Sequence, residues 1–130
     1  MGIHYQASCE GITAEQLVGF FTHWRNPRTA TEHLEILRGS DYVVLALDER
    51  DGRVVGFVTA LTDGVQAAFI PLLEVLPDYR GRGIGSELMR RVLGLLSDLT
   101  AIDLTCRPEL QTFYARFGMQ PSVGAVLRNY

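Results

Sequence analysis

The chain has 130 residues, 47% of them hydrophobic and 21% charged, with a formal net charge of −3. A chain of this length can bury roughly two-thirds of its surface, so residues 1–130 are expected to form one domain without metal or disulfide staples. All twelve basic residues are arginine, which excludes a P-loop, a Schiff-base lysine and a kinase lysine, and neither CxxC nor HExxH occurs to suggest zinc.

Ile3 to Ala7 alternates enough for a first strand. Thr13 then opens a predicted helix with Gln16 in the capping-box position; Leu17, Phe20 and Phe21 recur at helical spacing, and the helix ends near His23. Trp24-Arg25-Asn26-Pro27 breaks that pattern, and a short second helix is expected from about Thr31 to Arg38, with Leu34 and Leu37 inward and Gly39 at its end. Three β-rich runs follow, Tyr42 to Leu47, Val54 to Leu61 and Gln66 to Leu76, separated by the turn signals Asp51-Gly52 and Asp63-Gly64. These predict an antiparallel meander.

Pro77 closes the third strand, and a helix begins after a glycine-rich stretch, with Ile84, Leu88, Val92 and Leu95 on one face. Ala101 to Cys106 reads as a strand and Pro108 as the first residue of a helix lined by Leu110, Phe113 and Phe117. The tail, Gln120 to Leu127, is expected to supply a last strand or pair of strands. The pattern predicts an α+β, three-layer architecture: a mixed, mostly antiparallel sheet with helices on both faces.

Asp78-Tyr79-Arg80-Gly81-Arg82-Gly83-Ile84-Gly85-Ser86 joins a hydrophobic strand to an amphipathic helix. Such a junction aims free backbone N–H groups and the positive helix end at whatever lies before it, and glycines let a diphosphate approach the main chain. Arg80, Arg82, Arg90 and Arg91 outnumber Asp78 and Glu87 by two, a local positive excess in a negative chain. The plainer reading is a glycine-rich turn on a solvated helix face. A dinucleotide fingerprint fits poorly, because Ser86 takes the third glycine's place and antiparallel strands come first.

The run Arg80-Gly81-Arg82-Gly83-Ile84-Gly85 resembles the R/Q-x-x-G-x-G/A signature of the GNAT superfamily of N-acetyltransferases. Leu73 to Pro77 precedes it as that family's fourth strand does. Phe113-Tyr114-Ala115-Arg116-Phe117-Gly118-Met119 is similar to its late F-Y-x-x-x-G-F segment, with Met119 in place of phenylalanine. The element order matches over about Tyr42 to Met119.

The resemblance implies acetyl-CoA as co-substrate, and the scattered cysteines and histidines give no reason to expect a metal. Amides from Arg80 to Ser86 would hold the pyrophosphate, including those of Gly81, Arg82, Gly83, Ile84 and Gly85, and the backbone around Leu73 to Val75 would pair with pantetheine. It also implies a splayed strand pair, whose freed amide near Val75 or Leu76 meets the thioester oxygen. Tyr114 matches the tyrosine that protonates the departing thiolate, although aromatic spacing alone would make it a core residue beside Phe113 and Phe117.

Glu74 is the only carboxylate on the third meander strand, and burial could raise its pKa toward a base's range, or alternation could turn it away. Acceptor recognition falls to the connection His23 to Arg28. There Trp24 could wall an amine pocket or anchor the helix pair, and Asn26 adds a polar contact. His23 and His33 read as surface histidines, Cys106 as a buried thiol, and Arg107 has no assigned role.

The reading is a cytoplasmic N-acetyltransferase acting on a small-molecule or exposed amine, with no nucleic-acid or membrane partner; its rivals are a non-catalytic acyl-CoA-binding module and a nucleotide-binding domain. The apolar tail Val123 to Leu127 is expected to serve a possible homodimer.

Overall fold

The computed structural model describes residues 2–130. Its sheet runs β1 (Ile3–Gln6), β2 (Tyr42–Asp48), β3 (Val54–Thr62), β4 (Ala67–Val75), β5 (Ala101–Asp103), in that spatial order. The first four strands pair antiparallel and β5 joins β4 in parallel. Helix α1 spans Ala30–Gly39, α2 Ile84–Leu95 and α3 Gln111–Ala115. This is the mixed, mostly antiparallel α+β sheet that the pattern predicts.

β2 and β3 are buried along nearly their whole length, because helices cover both faces of the sheet. Consecutive residues of β3 show how. Phe57 packs its ring against Phe20, Phe21 and His33 on the α1 side. Gly56, facing the other way, lets α2 settle on the backbone: a Cβ there would stand 3.1 Å from Leu88 Cδ1 and 3.2 Å from Ile84 Cγ2. Ile84, Leu88, Met89 and Val92 supply the buried face of α2. That face continues to Leu96, four residues beyond Val92, whereas Leu95, which the spacing predicts to be inward, points outward at 41% exposure.

The helix predicted from Thr13 is only one short 3-10 turn, Ala14–Leu17. The capping interaction exists, with the Thr13 N–H donating to Gln16 Oε1 (2.8 Å), but Gln16 Nε2 also donates to the Gly52 carbonyl (2.7 Å), tying the turn to the β2–β3 hairpin. Gly19 (φ 109°) and Phe21 (φ 67°) then take left-handed conformations that no helix accommodates. Leu17, Phe20 and Phe21 are all buried, so a folded-back loop satisfies the spacing that resembled a helix face. Helix α1 begins earlier than expected, because Thr29 and Glu32 form a reciprocal capping box (Glu32 N–H to Thr29 Oγ1, 3.1 Å; Thr29 N–H to Glu32 Oε1, 2.9 Å).

Three further expectations fail at the carboxyl end. β5 stops at Asp103 rather than Cys106, and Leu110 sits exposed on a 3-10 turn, Pro108–Leu110, ahead of α3. Gln120 to Leu127 forms no strand. Pro121 lacks a ladder donor, and Val123 and Leu127 project into solvent without a partner strand among the described residues. The tail instead ends with the Tyr130 ring beneath the Arg25 guanidinium (4.9 Å).

A buried polar knot anchors the chain entering the glycine turn. Tyr79 donates its hydroxyl to Asp48 Oδ2 at 2.5 Å, and Arg50 holds the same carboxylate through Nη2 (2.7 Å). The Arg50 contacts first, then Tyr79, hold the Asp48 carboxyl well below the usual carboxylate range. The Arg50 side chain is largely exposed, so its charge is screened by solvent, whereas the Tyr79 hydroxyl bond lies in the buried interior. Tyr79→Phe is expected to destabilise the fold at neutral pH, read as a lower urea midpoint with unchanged m. Asp48 contributes above its unfolded pKa and loses that contribution as pH falls, so the deficit shrinks on acidification.

Candidate functional site

The glycine turn folds as a platform of free amides. Gly81 (φ 77°) and Gly83 (φ 81°) both take left-handed conformations, and nothing lies within 4 Å of where their Cβ atoms would be. The first helical bond of α2 runs from the Glu87 N–H to the Gly83 carbonyl (3.0 Å), so the N–H groups of Ile84, Gly85 and Ser86 leave the helix end unpaired. An oxyanion group fits there on geometry and on the helix dipole. Arg90 and Arg91 do not add to it, because both close on Glu87 (2.9 and 2.7 Å). Arg82 lies over the Tyr79 ring (5.0 Å) and donates to the Asp78 carbonyl, leaving Arg80 and Arg82 as the cations of the turn.

β4 and β5 pair only from Ala67↔Ala101 to Phe69↔Asp103, after which β4 continues to Val75 with this edge unpaired. The β3 ladder decides which β4 groups face the resulting gap. Leu76 N–H donates to the Val55 carbonyl (2.8 Å), making that a hydrogen-bonded pair. With Val75 opposite Gly56 and Leu73 opposite Val58, antiparallel alternation turns the N–H and C=O of Leu73 and Val75 away from β3. The free amide expected at Val75 or Leu76 is therefore that of Val75; Leu76 spends its own on Val55 and buries its side chain. Arg80 Nε donates to the Val75 carbonyl (2.9 Å), linking the glycine turn to this open edge.

Helix α3 stands on the α2 side of the gap. Phe113 reaches Gly85, Arg116 Nη2 donates to Ser86 Oγ (3.2 Å), and the Tyr114 ring meets Phe113 edge-on at 4.9 Å. Tyr114 is half-buried, and burial, reinforced by Cys106, pushes its phenol pKa up, so it remains a proton donor at neutral pH. Tyr114 and half-buried Cys106 line a groove of about 810 Å³ between β5, Phe117 and the tail.

Glu74 faces the opposite side, since it shares the sheet face of Phe57. The Phe21 N–H donates to both its carboxylate oxygens (3.3 Å each). Burial raises the Glu74 pKa, opposed by that hydrogen bond and by Arg80 and His23. Phe21 is the one described non-glycine residue with positive φ, and its left-handed backbone is what aims this N–H. Trp24 packs its ring on Phe21 (4.5 Å) yet stays 41% exposed, so it walls the loop rather than anchoring the core. Asn26 is exposed nearby on the same loop.

His33 overturns its reading as a surface residue. It is 1% exposed, boxed by Phe20, Phe21 and Phe57, and its pKa is pushed down to about 4 by burial. The signal was present in the spacing, because His33 and Leu37 are four apart on the inward face of α1. Phe21 had no comparable signal, since its role depends on a backbone turn rather than on its side-chain type.

A sequence model of the acetyltransferase (GNAT) family matches residues 10–119. A crystal structure from Deinococcus radiodurans R1, assigned as an acetyltransferase, is 48% identical and superposes with a TM-score of 0.93 over 97% of this chain and 87% of its own. A GNAT-family acetyltransferase from Streptococcus pneumoniae TIGR4 is 27% identical, with a TM-score of 0.79 over 98% of both chains. A chloroplastic GCN5-related N-acetyltransferase from Arabidopsis thaliana is 29% identical over 90% of this chain, which spans 61% of that relative's length.

Proposed function

The chain belongs to the GNAT acetyltransferase family, and from that premise we propose that it transfers the acetyl group of acetyl-CoA to a primary amine by direct attack on the thioester. The observation that carries the proposal is the free Val75 N–H at the gap between β4 and β5, in continuity with the open amides of the glycine turn. The residues present fit the co-substrate: the amides of Gly81 to Ser86, with Arg80 and Arg82, suit a pyrophosphate, and the outward groups of Leu73 and Val75 suit the amides of pantetheine.

Bound acetyl-CoA supplies an activated acyl thioester. Val75 N–H donates to the carbonyl oxygen, where negative charge develops as the amine adds. Glu74, on the α1 face, accepts the proton that the amine must lose, and Tyr114, on the α2 face, gives its hydroxyl proton to the leaving sulfur. Acid and base thus stand on opposite faces of the sheet, so each can act on its own side of the reacting carbon. Trp24 and Asn26 border the face from which the amine enters.

The test is calorimetry with CoA, acetyl-CoA and ADP, followed by thiol release across a panel of amines. CoA binding with amine-dependent thiol release supports the proposal. CoA binding without release on any amine leaves a non-catalytic acyl-CoA module, and absence of CoA binding overturns both. Glu74→Gln should remove the acidic limb of the pH–rate profile, because the carboxylate is the active form and is lost as pH falls through its raised pKa; kcat/KM should drop roughly 10²-fold. An unaltered profile would exclude Glu74 as the base.

A further inference from the structure

We propose that Tyr79 is a positioning residue for the phosphate end of acetyl-CoA: its buried ring seats the Arg82 guanidinium at the glycine turn, so that the cation is in place before the pyrophosphate arrives. The proposal rests on the acetyl-transfer reading and adds to it a residue that acts through Arg82 rather than by touching the cofactor.

Arg82 stands between Gly81 and Gly83, both left-handed, and a long side chain on so permissive a stretch of backbone has many rotamers open to it in solvent. Two contacts collect it. The guanidinium Cζ lies 5.0 Å from the centroid of the Tyr79 ring, and Nη2 donates to the Asp78 carbonyl (3.1 Å). Stacking uses the flat face of a guanidinium and leaves N–H groups along its edge, which is the edge that meets phosphate oxygens. Arg82 enters no ion pair among the described residues, unlike Arg90 and Arg91, which close on Glu87. An arginine held in place without a carboxylate keeps its charge for a ligand and has already lost the rotamer freedom that binding would otherwise remove.

Tyr79 can hold this cation because its own position is fixed from two directions. It is 6% exposed at the end of the 3-10 turn Pro77–Tyr79, where its N–H donates to the Leu76 carbonyl (2.9 Å), and its hydroxyl donates to Asp48 at the end of β2. The guanidinium is thereby referenced to the sheet and not to the glycine turn alone. Arg53 also lies over this ring, at 6.0 Å, but it comes from the β2–β3 connection. It therefore separates seating by Tyr79 at the turn from a general excess of positive charge.

The experiment measures ADP and CoA affinity by calorimetry, and turnover with acetyl-CoA and with S-acetylpantetheine, a thioester donor that lacks the phosphates. Wild type is compared with Tyr79→Leu, Tyr79→Phe, Arg82→Ala, Arg53→Ala and the Tyr79→Leu/Arg82→Ala double variant, each checked for folding by its urea transition. Tyr79→Leu and Arg82→Ala should each weaken ADP and CoA roughly 5-fold and raise the KM for acetyl-CoA with kcat little changed, while turnover of S-acetylpantetheine stays as in wild type. The double variant should be no weaker than either single one, because both remove the same interaction. Tyr79→Phe, which keeps the ring and loses the hydroxyl bond, should bind ADP within about twofold of wild type despite its lower stability. In wild-type protein the ring current should shift the Arg82 Nε proton upfield, and the shift should persist when ADP saturates the site. Losses that add in the double variant, an equal loss with S-acetylpantetheine, or an Arg53→Ala loss as large as that of Arg82→Ala overturn the role of Tyr79. So does an Arg82 resonance that leaves the ring on ADP binding, a result that decides the question even where Tyr79→Leu does not fold. Each of these leaves acetyl transfer standing while wild type turns over, whereas a wild-type protein that binds neither CoA nor ADP overturns both.

Discussion

Val75→Pro is expected to lower kcat by about 10²–10³-fold, the loss typical when one backbone or side-chain donor is withdrawn from a developing oxyanion. The substitution deletes a single N–H. Because Val75 lies opposite Gly56 in a pair whose backbone groups face away from each other, the β3–β4 ladder loses no hydrogen bond. The same strand already carries Pro71, beside the register shift between Thr59 and Leu61. Side-chain loss is controlled by Val75→Ala, whose kcat should stay within a few-fold of wild type. CoA affinity, measured by calorimetry, should change little in Val75→Ala. A Val75→Pro enzyme that folds and turns over at the wild-type rate would remove this amide from the mechanism.

Tyr114→Phe should depress kcat by roughly 10²-fold while leaving CoA affinity nearly unchanged. The ring persists, so its edge-on contact with Phe113 is retained and the expected stability change is small. Only the proton is lost. Burial and neighbouring Cys106 raise the phenol's pKa, so the wild-type enzyme keeps its acid across neutral pH and loses activity only as pH rises through that elevated value. The phenylalanine variant should lack this alkaline limb. Thiol release followed across the pH range measures both the rate and the limb, and a variant rate equal to wild type would return Tyr114 to a packing role.

The geometry of the candidate site was legible where it depends on local backbone. The glycine turn and α2 are readable because two left-handed glycines, a helix start and an apolar stripe lie within some fifteen consecutive residues. Tyr114 is readable as part of a short aromatic segment. The segment Leu17 to Phe21 misled for the same reason: its spacing fits a helix face, and nothing local reveals that Gly19 and Phe21 turn left-handed to bury all three apolar side chains. The tail misled in the opposite direction. Val123 to Leu127 has strand composition, but a strand exists only where another strand offers a ladder.

By itself the sequence determined the meander, the strand–turn–helix–strand order through α2, the glycine-rich turn at the start of that helix and the aromatic segment that carries Tyr114, because each arises from residues close together in the chain. The tertiary structure alone decided that Val75 rather than Leu76 keeps a free amide, that Glu74 meets the Phe21 N–H on the face opposite Tyr114, and that His33 is sealed among three phenylalanines. The physical reason is common to all three. Each depends on the parity of the β3–β4 register or on loop residues packing across the sheet, and a one-residue slip in that register would exchange every inward group for its outward neighbour.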